Sequence, residues 1–170
     1  SDHDRYAVEL DGTTPLNKTS RLVYSGNYYV YSLSMADIST DDRYDAGFET
    51  NRAANGFTPS VEQAITNFKS TVQGLDKTKP LFIVGHQPLL DRRGDNGHAY
   101  EWATAINAVA AGMDVTYFFG HNHKYDVAED YFYAKGETML VATDKVLSGS
   151  GYNTDLDAVE MKLNFTHVCA

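Results

Sequence analysis

The chain has 170 residues, 42% of them apolar, with 23 acidic and 14 basic side chains and a net charge of −9 at neutral pH. That length and apolar share suit one globular domain with a real core and leave no room for a second of ordinary size. The acidic balance excludes a non-specific nucleic-acid binder, which needs a basic stripe to release counterions. No apolar run approaches the roughly 18 to 20 residues that span a bilayer, and the single cysteine, Cys169, excludes an internal disulfide framework or a Cys-rich zinc site.

The chain opens on Ser1-Asp2-His3-Asp4 with nothing resembling a signal peptide, as a piece cut from a longer protein would. Its 12 tyrosines, abundant Asn, Thr and Ser, and lack of a cysteine pair suit a secreted bacterial protein. Asn17-Lys18-Thr19 and Asn164-Phe165-Thr166 match the glycosylation sequon, a triplet that often arises by chance, and the second falls in a predicted strand.

Residues 21 to 35 are rich in aromatic and β-branched side chains and predict two strands folded over Gly26-Asn27. Residues 36 to 57 are polar and punctuated by glycine, which predicts a surface loop. A helix is expected next, with Thr58 as N-cap, Pro59 at its first position, an apolar stripe of Val61, Ala64, Ile65, Phe68 and Val72, and Gly74 closing it. Leu81-Phe82-Ile83-Val84 is an unbroken apolar run and reads as a strand buried on both faces. Tyr100 to Ala111 carries Trp102, Ala103, Ile106, Val109 and Ala110 at helical spacing, with Gly112 as the expected C-cap. Val115 to Phe119 reads as a second buried strand, so strand, helix and strand predict a βαβ crossover with parallel strands, right-handed by default. Tyr131–Tyr133, Met139–Thr143 and Met161–Val168 read as further short strands in a mixed sheet, in one continuous domain.

The chemistry-bearing pattern lies at the ends of the βαβ strands. Gly85-His86 follows the first strand, and Gly120-His121-Asn122-His123 follows the second. Ligands of open α/β sheets collect at the carboxyl ends of parallel strands, so His86, His121 and His123 are expected on one edge. A glycine before each histidine lets the backbone turn sharply and approach a ligand. His121 and His123 share a face of an extended segment about 6 to 7 Å apart. That is too wide for easy chelation of one ion but suits two metals about 3.5 to 4 Å apart. Three imidazoles without a thiolate favour Zn, Mn or Fe, with carboxylates completing the shell.

Gly85-His86-Gln87-Pro88, followed about 35 residues on by Gly120-His121-Asn122-His123, resembles the last two motifs of the calcineurin-like metallophosphoesterases. The resemblance implies an α/β (α+β) fold, a β-sandwich flanked by helices with a dinuclear centre of Mn, Fe or Zn at the sheet edge. It implies that His86 and His121 bind one metal and His123 the other. Ser1-Asp2-His3-Asp4 is similar to the family's Gly-Asn-His-Asp/Glu motif; on that mapping Asp2 is a metal ligand in place of Asn, His3 contacts the phosphate or protonates the leaving group, and Asp4 orients it. The implied reaction is hydrolysis of a phosphomono- or diester, on a small molecule or a phosphorylated substrate, by in-line attack of a water that the metals acidify. The family's earlier Asp-x-His and Gly-Asp motifs, which normally precede the Gly-Asn-His segment, are not found ahead of it: the sequence has no Asp-x-His, and its Gly-Asp pair, Gly94-Asp95, comes after His86. The chain is therefore expected to be the C-terminal part of such a domain, cut at both ends, with weak or no activity alone.

Two other readings stay open: a non-catalytic metal-binding scaffold or mononuclear histidine-rich hydrolase, and a carbohydrate-binding module that uses the tyrosines. His98, at the end of the loop containing Arg92 and Arg93, is either part of a substrate-binding loop in which an arginine pairs a phosphate, or an exposed turn into the next helix, the turn being preferred. His167 reads as a core or edge histidine rather than a ligand, and Asp126 and Asp144 as surface or capping acids. The tyrosines from Tyr24 to Tyr31 suit either ring stacking on a ligand or a sheet face packed under a helix.

Overall fold

In the computed structural model, which describes residues 19–38, 52–89, 98–120, 132–142 and 158–169, the aromatic hairpin forms as its sequence suggests. Strand β1 (Arg21–Ser25) pairs antiparallel with β2 (Tyr29–Ser32), with an irregularity between Leu22 and Tyr24. From β2 the chain passes through helix α1 (Val61–Gln73) to β3 (Leu81–Val84), then through helix α2 (Ala99–Val109) to β4 (Val115–Phe119). Both crossovers join parallel strands, with Tyr29 opposite Leu81 and Leu81 opposite Val115. The second is the expected βαβ unit; the first also has that form, which the residues before α1 conceal. Strands β5 (Thr138–Ala142) and β6 (Ala158–Lys162) pair antiparallel as a separate sheet, and β7 (Thr166–Cys169) returns parallel to β4. The result is a mixed α/β arrangement around a five-stranded sheet of order β1-β2-β3-β4-β7.

Both helices cover the same face of that sheet. The α1 stripe buries Val61, Ala64, Phe68 and Val72, and α2 buries Trp102, Ala103, Ala105 and Ile106. Phe68 sits edge-on to Tyr31 of β2 at 5.0 Å and to Trp102 at 5.5 Å, so one aromatic stack joins sheet, α1 and α2. Met139, Val141, Leu163 and Phe165 extend the same core, where β5 lies against α2. The two apolar strands are consequently buried on one face rather than both. Leu81 and Ile83 are inaccessible, whereas Val84 is 45% exposed and Phe82 and Phe118 are half-buried. An unbroken apolar run does not say how many faces are covered; the positions of the two helices decide it.

Other local expectations shift by a residue or two. The N-cap of α1 is Ser60, not Thr58: the Ser60 hydroxyl accepts the N–H of Gln63 at 3.1 Å, and Pro59 precedes the cap. Thr58 is buried instead, with its hydroxyl on Asp37. Gly74 does cap α1. Helix α2 ends at Ala110, and Gly112 lies beyond it at φ +84°, in the left-handed region that glycine reaches without strain. The span 161–168 is two strands rather than one. Asn164 sits in the turn between them, its N–H on Asn107 Oδ1 and its Nδ2 donating to the Asn107 carbonyl, so the asparagine of the second sequon lies in a turn and only Thr166 of the triplet is in a strand. Within 131–133, Tyr133 makes an isolated bridge to His167.

The span 36–57 is not simply a surface loop, because Asp37, Ile38 and Arg52 within it are buried, whereas Ala53, Ala54 and Gly56 are exposed. Asp37 and Arg52 pair at 2.7 Å with side chains 0% and 1% exposed. Arg52 also donates to the carbonyls of Thr58 and Ala36, and Asp37 accepts from the Ser20 N–H and hydroxyl. Trp102 Nε1 donates to the Asp37 carbonyl at 2.6 Å, which ties this polar knot to α2. Burial pushes the Asp37 carboxyl above its ordinary range, against the hydrogen bonds from Ser20 and the nearby Arg52 charge. No helix among the described residues is long and apolar enough to cross a membrane.

Candidate functional site

The carboxyl ends of β3 and β4 bring Gly85-His86 beside Gly120. Gly85 N–H donates to the Phe118 carbonyl at 2.9 Å, and Gly120 N–H donates back to the His86 carbonyl at 3.1 Å. These bonds continue the parallel ladder one step past each strand, so Gly120 lies directly beside His86. His86 itself is half-buried. The residues that follow it turn inward: Gln87, Pro88 and Leu89 are buried.

The glycines play different parts from those expected. Neither Gly85 nor Gly120 takes a left-handed φ. A Cβ on Gly85 would overlap the hydroxyl oxygen of Tyr117, so the close approach there is to a neighbouring side chain. A Cβ on Gly120 would meet nothing within 4 Å among the described residues.

Behind this edge lies a buried polar arrangement. Tyr117 Oη donates to the Gln87 carbonyl at 2.6 Å, and Leu89 N–H donates to His167 Nε2 at 3.1 Å. The His167 ring stacks on Tyr117 at 5.5 Å and 7° and on Phe119 at 4.5 Å and 29°. It is a core histidine, as its strand pattern suggests, and burial pushes its pKa down to about 3. Because Nε2 accepts, the neutral ring carries its proton on Nδ1. That Nδ1 and the buried Gln87 Oε1 have no hydrogen-bond partner among the described residues. Burial likewise pushes the Tyr117 hydroxyl pKa up, so this group stays protonated as a donor. Nothing in the sequence distinguishes Tyr117 from the other strand aromatics; only its hydroxyl, placed beside Gly85 and on the Gln87 carbonyl, does.

His98 lies at the turn into α2. It occupies the N-cap position without a capping bond, its N–H reaches the Ile38 carbonyl at 3.3 Å, and its Nδ1 lies 3.6 Å from Glu101 Oε1. With its side chain 12% exposed, it is less open than the expected turn. The tyrosines divide by strand alternation: Tyr29 and Tyr31 are buried under the helices, while Tyr24 and Tyr28 are exposed and stack on each other at 4.7 Å. Asp2, His3, Asp4, Arg92, Arg93, His121, His123, Asp126 and Asp144 lie outside the described residues. Among the described residues, no three His, Cys, Asp or Glu side chains gather as a metal site. No protein-family model, curated protein or solved structure matches the chain.

Proposed function

We propose that this chain carries part of a metal-dependent phosphoesterase that hydrolyses phosphomono- or diesters, with His86, His121 and His123 as metal ligands. The observation that carries the reading is the bond from Gly120 N–H to the His86 carbonyl, which sets Gly85-His86 beside the glycine that opens the second Gly-His unit, at the carboxyl ends of adjacent parallel strands. The donor chemistry fits Zn, Mn or Fe, since imidazole nitrogens suit all three. A pair of such ions supplies an acidified water and charge neutralisation on the phosphoryl oxygens. On this reading the chain's own groups hold the ions through His86, His121 and His123, with Asp2 as a further ligand. His3 donates a proton to the leaving oxygen, Asp4 orients His3, and Arg92, Arg93 and His98 belong to the loop that meets the substrate. Because the sequence has no Asp-x-His and its Gly94-Asp95 pair follows His86 rather than preceding the histidine motifs, the activity expected of this chain alone is weak or absent. The five-stranded sheet is then one layer of a sandwich, and the half-open face of Phe82, Val84 and Phe118 is its inner side.

Elemental mass spectrometry after manganese or zinc loading tests the reading. About one tightly held ion per chain, lost in His121→Ala, is the expected result for a part-site of this kind. An ion content equal in both proteins overturns the ligand assignment. The exposed Tyr24–Tyr28 stack favours a second reading, a carbohydrate-binding module. Glycan binding that persists in chelator would support the module, and chelator-sensitive ester hydrolysis would remove it.

A further inference from the structure

The turn that presents His86 is fixed at four backbone positions, and two of the four bonds come from side chains with no assigned role. The Gly85 N–H is held by the Phe118 carbonyl, as continuation of the sheet, and the His86 carbonyl by the Gly120 N–H just past β4. Beyond that point the ladder ends, and the Gln87 carbonyl and Leu89 N–H need other partners because both residues are buried. Tyr117 supplies one from β4 and His167 the other from β7, 30 and 78 residues away along the chain. The two rings stack nearly parallel, at 7°, so neither can shift without the other. A hydroxyl from β4 and an imidazole from β7 thus grip a turn that leaves β3.

We propose that Tyr117 and His167 are positioning residues for His86: they clamp the turn at Gln87 and Leu89 and so present the His86 imidazole at the sheet edge in one orientation. The proposal rests on the reading of His86 as a metal ligand, but the clamp itself is a property of the turn and can be measured without an ion. Outer partners of this kind order a ligand before the ion arrives, and their loss typically weakens metal affinity by about 10- to 100-fold.

The test uses the full chain in three variants. Tyr117→Phe removes only the hydroxyl, His167→Phe keeps a stacking ring but removes the acceptor, and His167→Gln restores an acceptor. Backbone ¹⁵N relaxation of the metal-free protein reads the order of residues 85–89, zinc titration calorimetry reads affinity, and the visible absorption of the cobalt-loaded protein reads the ligand field. The expected result is lower order at Gln87–Leu89, about tenfold weaker zinc binding and an altered cobalt band in Tyr117→Phe and His167→Phe, with recovery in His167→Gln. A turn that stays as ordered in Tyr117→Phe as in the wild type overturns the clamp, whatever the ion does. Disorder spread evenly over the sheet also overturns it, because the two residues would then be ordinary core. If His167→Phe does not fold, Tyr117→Phe decides alone. A wild type that takes up no zinc while its turn still loosens selectively in the variants supports the clamp and removes the metal reading.

Discussion

Arg52 and Asp37 form an ion pair 2.7 Å long in which both side chains are withdrawn from water, at 1% and 0% exposure. A pair so placed pays for its desolvation only through the bonds around it, and here they are many. Arg52 also donates from Nε to the Thr58 carbonyl and from Nη1 to the Ala36 carbonyl, while Ser20 and Thr58 satisfy the second Asp37 oxygen. The pair therefore fastens the start of the chain's path out of β2 to the approach to α1.

Arg52→Met should accordingly destabilise the protein by about 3–5 kcal/mol, because it strands the Asp37 carboxylate in a buried site. The double variant Arg52→Met, Asp37→Leu should recover a large part of that loss, since it removes both charges together. Urea unfolding of the two proteins checks this. A cost below about 1 kcal/mol for the single variant would mean that the pair is not held in the interior as described.

What could be read from the sequence, and what could not, divides by range. The stripe of α1, the hairpin over Gly26-Asn27 and the β3–α2–β4 unit depend on neighbours a few residues apart, and spacing displays them. The coverage of β3 on one face, the turn at Asn164 and the burial of Asp37 depend on partners far along the chain. Asn164 is held by Asn107, and Asp37 by Arg52 and Trp102, and no local pattern announces such pairings. The cap of α1 failed for a similar reason: Thr58 and Ser60 are both good caps, and Asp37 diverts Thr58. At the candidate edge, the adjacency of His86 and Gly120 followed from reading parallel strands, whereas the part played by Tyr117 required the register of β3 on β4.

His167 should make the protein acid-sensitive in a defined window. Its pKa is pushed down to about 3 by burial, against an ordinary 6.5 for the unfolded chain. Between those values the unfolded state binds a proton that the folded state refuses, so stability falls as pH drops from 6.5 towards 3 and is unaffected by this group above 6.5. The slope approaches about 1.4 kcal/mol per pH unit. Asp37 acts in the opposite sense, because its raised pKa lets the folded state take up a proton first. The difference between wild type and His167→Gln isolates the histidine: urea midpoints measured from pH 7 to pH 4 should converge on acidification, and parallel curves would contradict a buried neutral ring.

The two Gly-His units offer a paired test of why each glycine is there. Gly85→Ala places a methyl group against the Tyr117 hydroxyl, with the ring carbon that bears it only 3.0 Å away. Tyr117 cannot retreat, since it is inaccessible and donates to the Gln87 carbonyl. Overpacking of this kind costs about 1–3 kcal/mol. Gly120→Ala faces nothing within 4 Å among the described residues and does not need a positive φ, so its effect should stay within about 0.5 kcal/mol. Adding Tyr117→Phe to Gly85→Ala removes the worst overlap at the expense of the bond to Gln87, and should restore part of the loss. Chemical denaturation of the four proteins separates the possibilities. Equal costs at 85 and 120 would mean that glycine serves the same backbone need in both units, and that the Tyr117 hydroxyl does not set the space beside His86.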